Sequence, residues 1–105
     1  LENRIVRTQV PEVTESLRAQ LVAFVQALRE LDLKKPPAVS ETLDWARTLL
    51  LLHAHAIDEA LVRETLNVLL KFEADIEAAG KQLASMVDKA ARLATVVEAG
   101  AAAKN

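Results

Sequence analysis

TESLRAQLVAFVQALREL, residues 14–31, decides what kind of chain this is. Leu17, Leu21, Phe24, Val25, Leu28 and Leu31 recur at steps of three and four, the spacing that lays side chains along one face of an α-helix. Thr14 stands where a hydroxyl can cap the first turn, and Glu15 follows where the helix dipole favours an anion. A strand would need alternation with period two, and none is present.

The same reading extends outward in both directions. Residues 2–8, ENRIVRT, suit a short helix or helical turn, which Pro11 interrupts because it has no amide donor and disfavours helix at Val10. On the other side, LDLKKPPAVSETLDWARTL (31–49) joins two lysines, two prolines and the chain's one tryptophan. Pro36 and Pro37 end any helix and stiffen the connection, Ser40 reads as the next N-cap, and Leu43, Ala46, Leu49 and Leu50 mark a buried side ending near His53. HAHAI (53–57) reads as a loop and Asp58 as a cap, after which Leu61, Val62, Leu66, Leu69 and Leu70 face inward, with a break near Asn67 left open. From Ile76 through Ala79, Leu83, Met86 or Val87, Ala90, Leu93 and Val97 the rhythm continues, across a Gly80 that costs a helix about 1 kcal/mol against alanine. AGAAAKN (99–105) is expected to fray. The fold class expected is all-α: a small bundle of about four to five helices with a long C-terminal helix.

Composition bounds what such a chain does. At 105 residues it has the length of one domain and can bury about two-thirds of its unfolded surface. A net charge of −2 lacks the basic excess that general nucleic-acid binding needs, so no nucleic-acid partner is expected. With no cysteine, disulfides and thiol nucleophiles are ruled out. No apolar run reaches the roughly 18 residues of a membrane span, and no signal peptide is visible, so no membrane partner and a cytoplasmic location are expected. Gly80 and Gly100 cannot write a Gly-rich phosphate loop, and neither GxSxG nor HExxH occurs. Because the first residue is Leu1 rather than Met, we expect a segment of a longer protein.

Residues 10–49 and 61–76 carry a resemblance. VPEVTESLRAQLVAFVQALRELDLKKPPAVSETLDWARTL, followed by LVRETLNVLLKFEADI, resembles the C-terminal helical lid of MoxR-family AAA+ ATPases, in the branch whose lid holds a lysine pair, proline and S-E-T-x-D-W-A. The likeness spans residues 5 to about 77; residues 78–105 match no named pattern. It implies an AAA+ lid-like domain over 1–77 and a helical extension over 78–105 that packs on the bundle or on a neighbour. It also implies a role. The lid would help enclose ATP and couple hydrolysis to chaperone-like remodelling or activation of a client protein, with no catalysis by this segment alone and no cofactor of its own. ATP and Mg would belong to the parent ATPase. Partners implied are the parent's own α/β ATPase domain, neighbouring subunits of a ring, and a protein with a von Willebrand factor A domain.

In many such lids the first turn of one helix presents an arginine, called sensor 2, to the γ-phosphate. Here the aligned turn is Ser40, Glu41 and Thr42, with Thr42 where the arginine would be. A threonine hydroxyl is one neutral donor where arginine is a charged fork. Arg47 lies about 140° round the helix from Thr42 and cannot substitute. The nucleotide-proximal candidates are therefore Ser40, Glu41, Thr42, Lys34 and Lys35, although two lysines before a turn are more often solvated. The helix start is expected to face a neighbouring domain, offering free amides, although Glu41 opposes an anion there. Trp45, Arg47, Lys71 and Asp75 are interface candidates. A lone tryptophan among leucines is more often a core or interface anchor than a stacking platform, and an exposed (i, i+4) pair is the default reading of Lys71 and Asp75. His53 and His55 point about 160° apart on a helix and could share a metal only in an extended loop; no metal site is expected. The competing reading is a free-standing helical adaptor or dimerisation module, motivated by the apolar stripe at the C-terminal end.

Overall fold

A computed structural model describes residues 1–103, with side chains described through Thr95. Among the described residues there are six helices and no strand: α1 (Glu2–Gln9), α2 (Glu15–Arg29), α3 (Val39–Leu51), α4 (Glu59–Leu69), α5 (Glu73–Lys81) and α6 (Leu83–Ala103). The protein is all-α, and no described helix is long and apolar enough to cross a membrane.

α2 is the central element. Its stripe is buried from Leu17 to Leu28, with Leu21, Phe24, Val25 and Leu28 fully enclosed and Leu17 nearly so, while Leu31 lies past the end of the helix and is half-buried. Thr14 caps it, the hydroxyl accepting the Leu17 amide at 3.2 Å. α6 lies along α2, and α1 and α3 also pack on it. α4 joins α3 and α6, and Gln20 of α2 accepts the Ile57 amide at 3.0 Å, holding the connection between α3 and α4 against the bundle. Asp58 caps α4 through the Leu61 amide at 2.8 Å. α4 runs unbroken through Asn67.

The helix count exceeds the expected four to five because the C-terminal rhythm hides a break. α5 ends at Lys81, Gln82 adopts φ −116° and ψ 12°, and α6 begins at Leu83. Inward positions continue across the break at three- and four-residue steps, so periodicity alone reads one helix. α5 also spans the expected boundary between residues 77 and 78, and Leu83, Met86 and Ala90 belong to the same core as Leu21 and Trp45. Residues 83–94 thus pack on this bundle, through the same core. Leu93, placed in the stripe from sequence, is 45% exposed; Val97's side chain lies outside the described residues. α6 continues through Ala103, and what is expected of Lys104 and Asn105 lies outside the described residues too.

α3 closes with a Schellman motif. The Ala54 amide reaches Leu49 O and the His53 amide reaches Leu50 O, both at 3.0 Å, with His53 at φ 57°. A side chain in this left-handed region is strained, and glycine is not. His53→Gly is therefore expected to raise stability by about 0.5 kcal/mol, the relief being partly offset by a freer unfolded chain. Urea denaturation measures it; a destabilised glycine variant would mean that the imidazole makes a contact worth more than the strain.

Candidate functional site

The connection between α2 and α3 carries the residues singled out from sequence, and buried charge holds it from two sides. On one side stands Asp75, in the first turn of α5 and 2% exposed. Its two carboxylate oxygens accept the backbone amides of Lys34 at 2.8 Å and Lys35 at 3.0 Å. The carboxylate is thus spent on the chain's own loop, about forty positions away in sequence. The Lys71–Asp75 pair does not form, because Lys71 lies between α4 and α5 and the Asp75 carboxylate is turned to the Lys34 and Lys35 amides. Lys71 remains exposed.

On the other side stands Arg29, the last residue of α2. Its Nε donates to Pro37 O at 2.9 Å, while Nη1 and Nη2 grip both carboxylate oxygens of Glu2 at 2.5 and 2.7 Å. Thr42, fully buried, donates to Glu2 Oε2 at 2.8 Å. A helix at the N-terminus, the end of α2 and the start of α3 therefore meet at one ion pair. Burial pushes the Glu2 carboxyl up, but the hydrogen bonds from Arg29 and Thr42, Arg29's charge and Gln26 outweigh it, leaving the group below its ordinary 4.5. The same Glu2 hydrogen bonds raise Arg29, against desolvation.

A carboxyl depressed by folding stabilises the fold fully above its unfolded value and loses that contribution as pH falls through the folded one. Wild type should therefore lose stability below about pH 4.5 in a way that Glu2→Gln does not. At pH 7 the glutamine variant should cost about 2 kcal/mol, less than a fully enclosed pair because the Arg29 side chain is 30% exposed. Parallel acid titrations of melting temperature check both; identical curves for the two proteins would place the acid sensitivity elsewhere.

Thr42 is thus turned inward, not toward a neighbour, because its hydroxyl answers the buried Glu2. The start of α3 also differs from expectation. Ser40 is not the N-cap: the helix begins at Val39, with Ala38 in the capping position. Glu41 supplies the cap, its Oε1 accepting the Ala38 amide at 3.1 Å, while Ser40 Oγ donates to Glu41 Oε2 at 2.6 Å. That Ser40 hydroxyl first, then the Ala38 amide, then Lys71 and Lys35, hold the Glu41 carboxyl below its usual range against a small effect of burial. A carboxylate thus already lies at the first turn of α3, where an incoming anion would have to bind. Lys34, Lys35 and Ser40 are exposed, and Glu41 is half-buried.

Trp45 is fully buried and packs at 5.4 Å from Phe24, so the core-anchor reading is the right one. Arg47 is exposed and pairs with Asp44 at 3.5 Å. His53 and His55 are both exposed and border a depression of about 220 Å³ that Glu12 and Leu17 also line. Among the described residues, no three acidic, histidine or cysteine side chains are grouped to hold a metal. Sequence reasoning missed Glu2 and Arg29. Arg29 follows Leu28 of the stripe and ends its helix as a dipole-favoured cation, which hides its second task; Glu2 lies 27 positions away with no pattern linking the two.

What fold and site together define is a class, a bundle with six helices among the described residues that holds a polar turn in place with a buried carboxylate and a partly buried ion pair. No protein-family model, no curated protein and no solved structure matches the chain.

Proposed function

We propose that this chain is the lid of a MoxR-type AAA+ ATPase. One observation supports the reading. The lysine–proline–S-E-T segment is pinned by Asp75 at Lys34–Lys35 and by Arg29 at Pro37, while the side chains of Lys34, Lys35 and Ser40 stay outside. A connection that merely joins two helices needs no such anchoring, whereas one that meets another domain in fixed register does.

The residues of this turn do not make a nucleotide site by themselves. Thr42 faces inward and Glu41 covers the helix start, so ATP and Mg would be held by the parent's α/β domain and by ring neighbours. The lid would contribute shape and a polar contact, and this segment would catalyse nothing alone. The client, and a von Willebrand factor A domain partner, belong to the same proposal, as does a cytoplasmic location.

Calorimetric titration of the chain with ATP and Mg is expected to show no binding tighter than millimolar; micromolar affinity would mean a complete site in this chain and would end the lid reading. The coding sequence ahead of Leu1 is the second test. A strand, GxxxxGK[ST] loop and helix about two hundred residues upstream supports the lid, by the spacing of Walker motifs from lids. An initiator methionine directly before Leu1 supports instead an adaptor or dimerisation module. For that second reading the favouring observation is the exposure of Leu51 (79%) and Leu52 (53%) at the end of α3.

A further inference from the structure

We propose that Arg29 and Thr42 form a receptor for a carboxylate, that Glu2 occupies it within the chain, and that an acidic side chain of a partner protein takes its place when the first turn of α1 opens. The proposal does not depend on the lid reading.

Three features carry it. The first is the shape of the receptor. A planar fork grips both oxygens of one carboxylate, and a buried hydroxyl adds a third donor to the same group. That donor set matches a carboxylate in geometry and charge. The second is that the receptor does not depend on its occupant. Arg29 Nε is held by Pro37 O, in a connection that Asp75 anchors separately, so the guanidinium keeps its direction after Glu2 leaves. Removal of Glu2 would leave the ends of the fork with only Thr42 Oγ1, 3.4 Å from Nη2, and water as partners, so a replacement carboxylate that restores both charge-assisted bonds is favoured.

The third is the placement of Glu2. It is the first residue of α1, beside a Leu1 that is 93% exposed, and no side chain caps the helix. The apolar anchors of α1, Val6 and Val10, lie one and two turns further on. Melting residues 2–5 therefore frees the receptor while the buried valines stay in the core. Besides the Glu2 contacts, it breaks the bond from Arg18 Nε to Asn3 Oδ1, at 3.0 Å, those from the Ile5 amide to Leu1 O, at 3.1 Å, and from the Thr8 hydroxyl to Arg4 O, at 2.9 Å, and the helical bonds to the carbonyls of residues 2–5. Helix ends open more readily than cores, so this motion needs no global unfolding. The Arg29 side chain, already 30% exposed, shows that the site lies at the surface once the turn is lifted.

The test is chemical rescue. In Glu2→Ala the receptor is empty, and acetate is the probe. With 200 mM sodium acetate the melting temperature should rise by about 5 °C over 200 mM sodium chloride at equal pH, saturating with concentration as one-site binding requires. Wild type should show no such difference. Equal melting in acetate and chloride overturns the proposal. Should Glu2→Ala not fold in either salt, hydrogen exchange of wild type decides. Opening at the first turn requires the Ile5 amide, bonded to Leu1 O at 3.1 Å, to exchange, relative to its intrinsic rate, at least tenfold faster than the amides of Leu21 and Val25 in the enclosed stretch of α2. Equal rates would mean that the receptor is uncovered only by complete unfolding, and the proposal fails.

Discussion

Replacing Trp45 with alanine is expected to lower stability by about 4 kcal/mol, a large share of the roughly 5–15 kcal/mol that holds a domain of this size together. The residue is fully buried, stacks obliquely on Phe24 with ring planes at 45°, and gives its indole proton to Thr65 Oγ1 at 2.8 Å. Three losses combine in the variant: the apolar area of the largest side chain in the core, the cavity that neighbours fill only in part, and the donor to Thr65. Thr65 keeps one bond, to Leu61 O at 2.9 Å, which limits the last of these. The melting temperature, followed by circular dichroism, should fall by roughly 15–30 °C. Trp45→Phe keeps a ring against Phe24 and loses the indole donor, so it should cost about half as much. A Trp45→Ala protein melting within a few degrees of wild type would show that α3 is not seated on α2 through this residue.

Asp75→Ala is the second large effect. It strips two backbone amides of their acceptor in a place where the side chain is nearly sealed from solvent. Charge-assisted bonds to a carboxylate are stronger than neutral ones, and a buried donor left without a partner carries its desolvation cost, so about 3 kcal/mol is expected. Asp75→Asn should fall between, because its amide oxygen can serve one N–H while its NH₂ faces the other. Hydrogen exchange locates the damage. The amides of Lys34 and Lys35 should exchange at least tenfold faster in both variants, while the Trp45 indole is affected only through the global loss. Unchanged exchange at 34 and 35 would remove Asp75 as the anchor of this turn, and with it the support for a turn held in register for a neighbouring domain.

The contrast between these two residues shows where sequence reading works and where it stops. Trp45 and the α2 stripe are legible because burial follows a period of three to four residues and because a lone large aromatic among leucines belongs in a core. The caps at Thr14 and Asp58 are legible because each acts on an amide three positions away. Ser40 misleads for the same local reason: a serine before a helix looks like a cap, yet Glu41 can reach back to the Ala38 amide and start the helix two residues earlier. Asp75 misleads through its spacing from Lys71, since an (i, i+4) rule knows nothing of a loop forty positions away. The break at Gln82 leaves no mark because inward positions stay in phase on either side of it.

From its own residues the chain determined that it is helical, which faces of its helices are apolar, and that it lacks a phosphate loop and any thiol chemistry. Those properties depend on residue type and on neighbours within a turn or two. The tertiary structure alone decided that Glu2, Arg29 and Thr42 meet at one partly buried ion pair, that Asp75 serves the amides of Lys34 and Lys35, and that residues 83–94 close the core. Each of these joins groups far apart along the chain, and a charge chooses its partner only once packing has brought it out of water beside one.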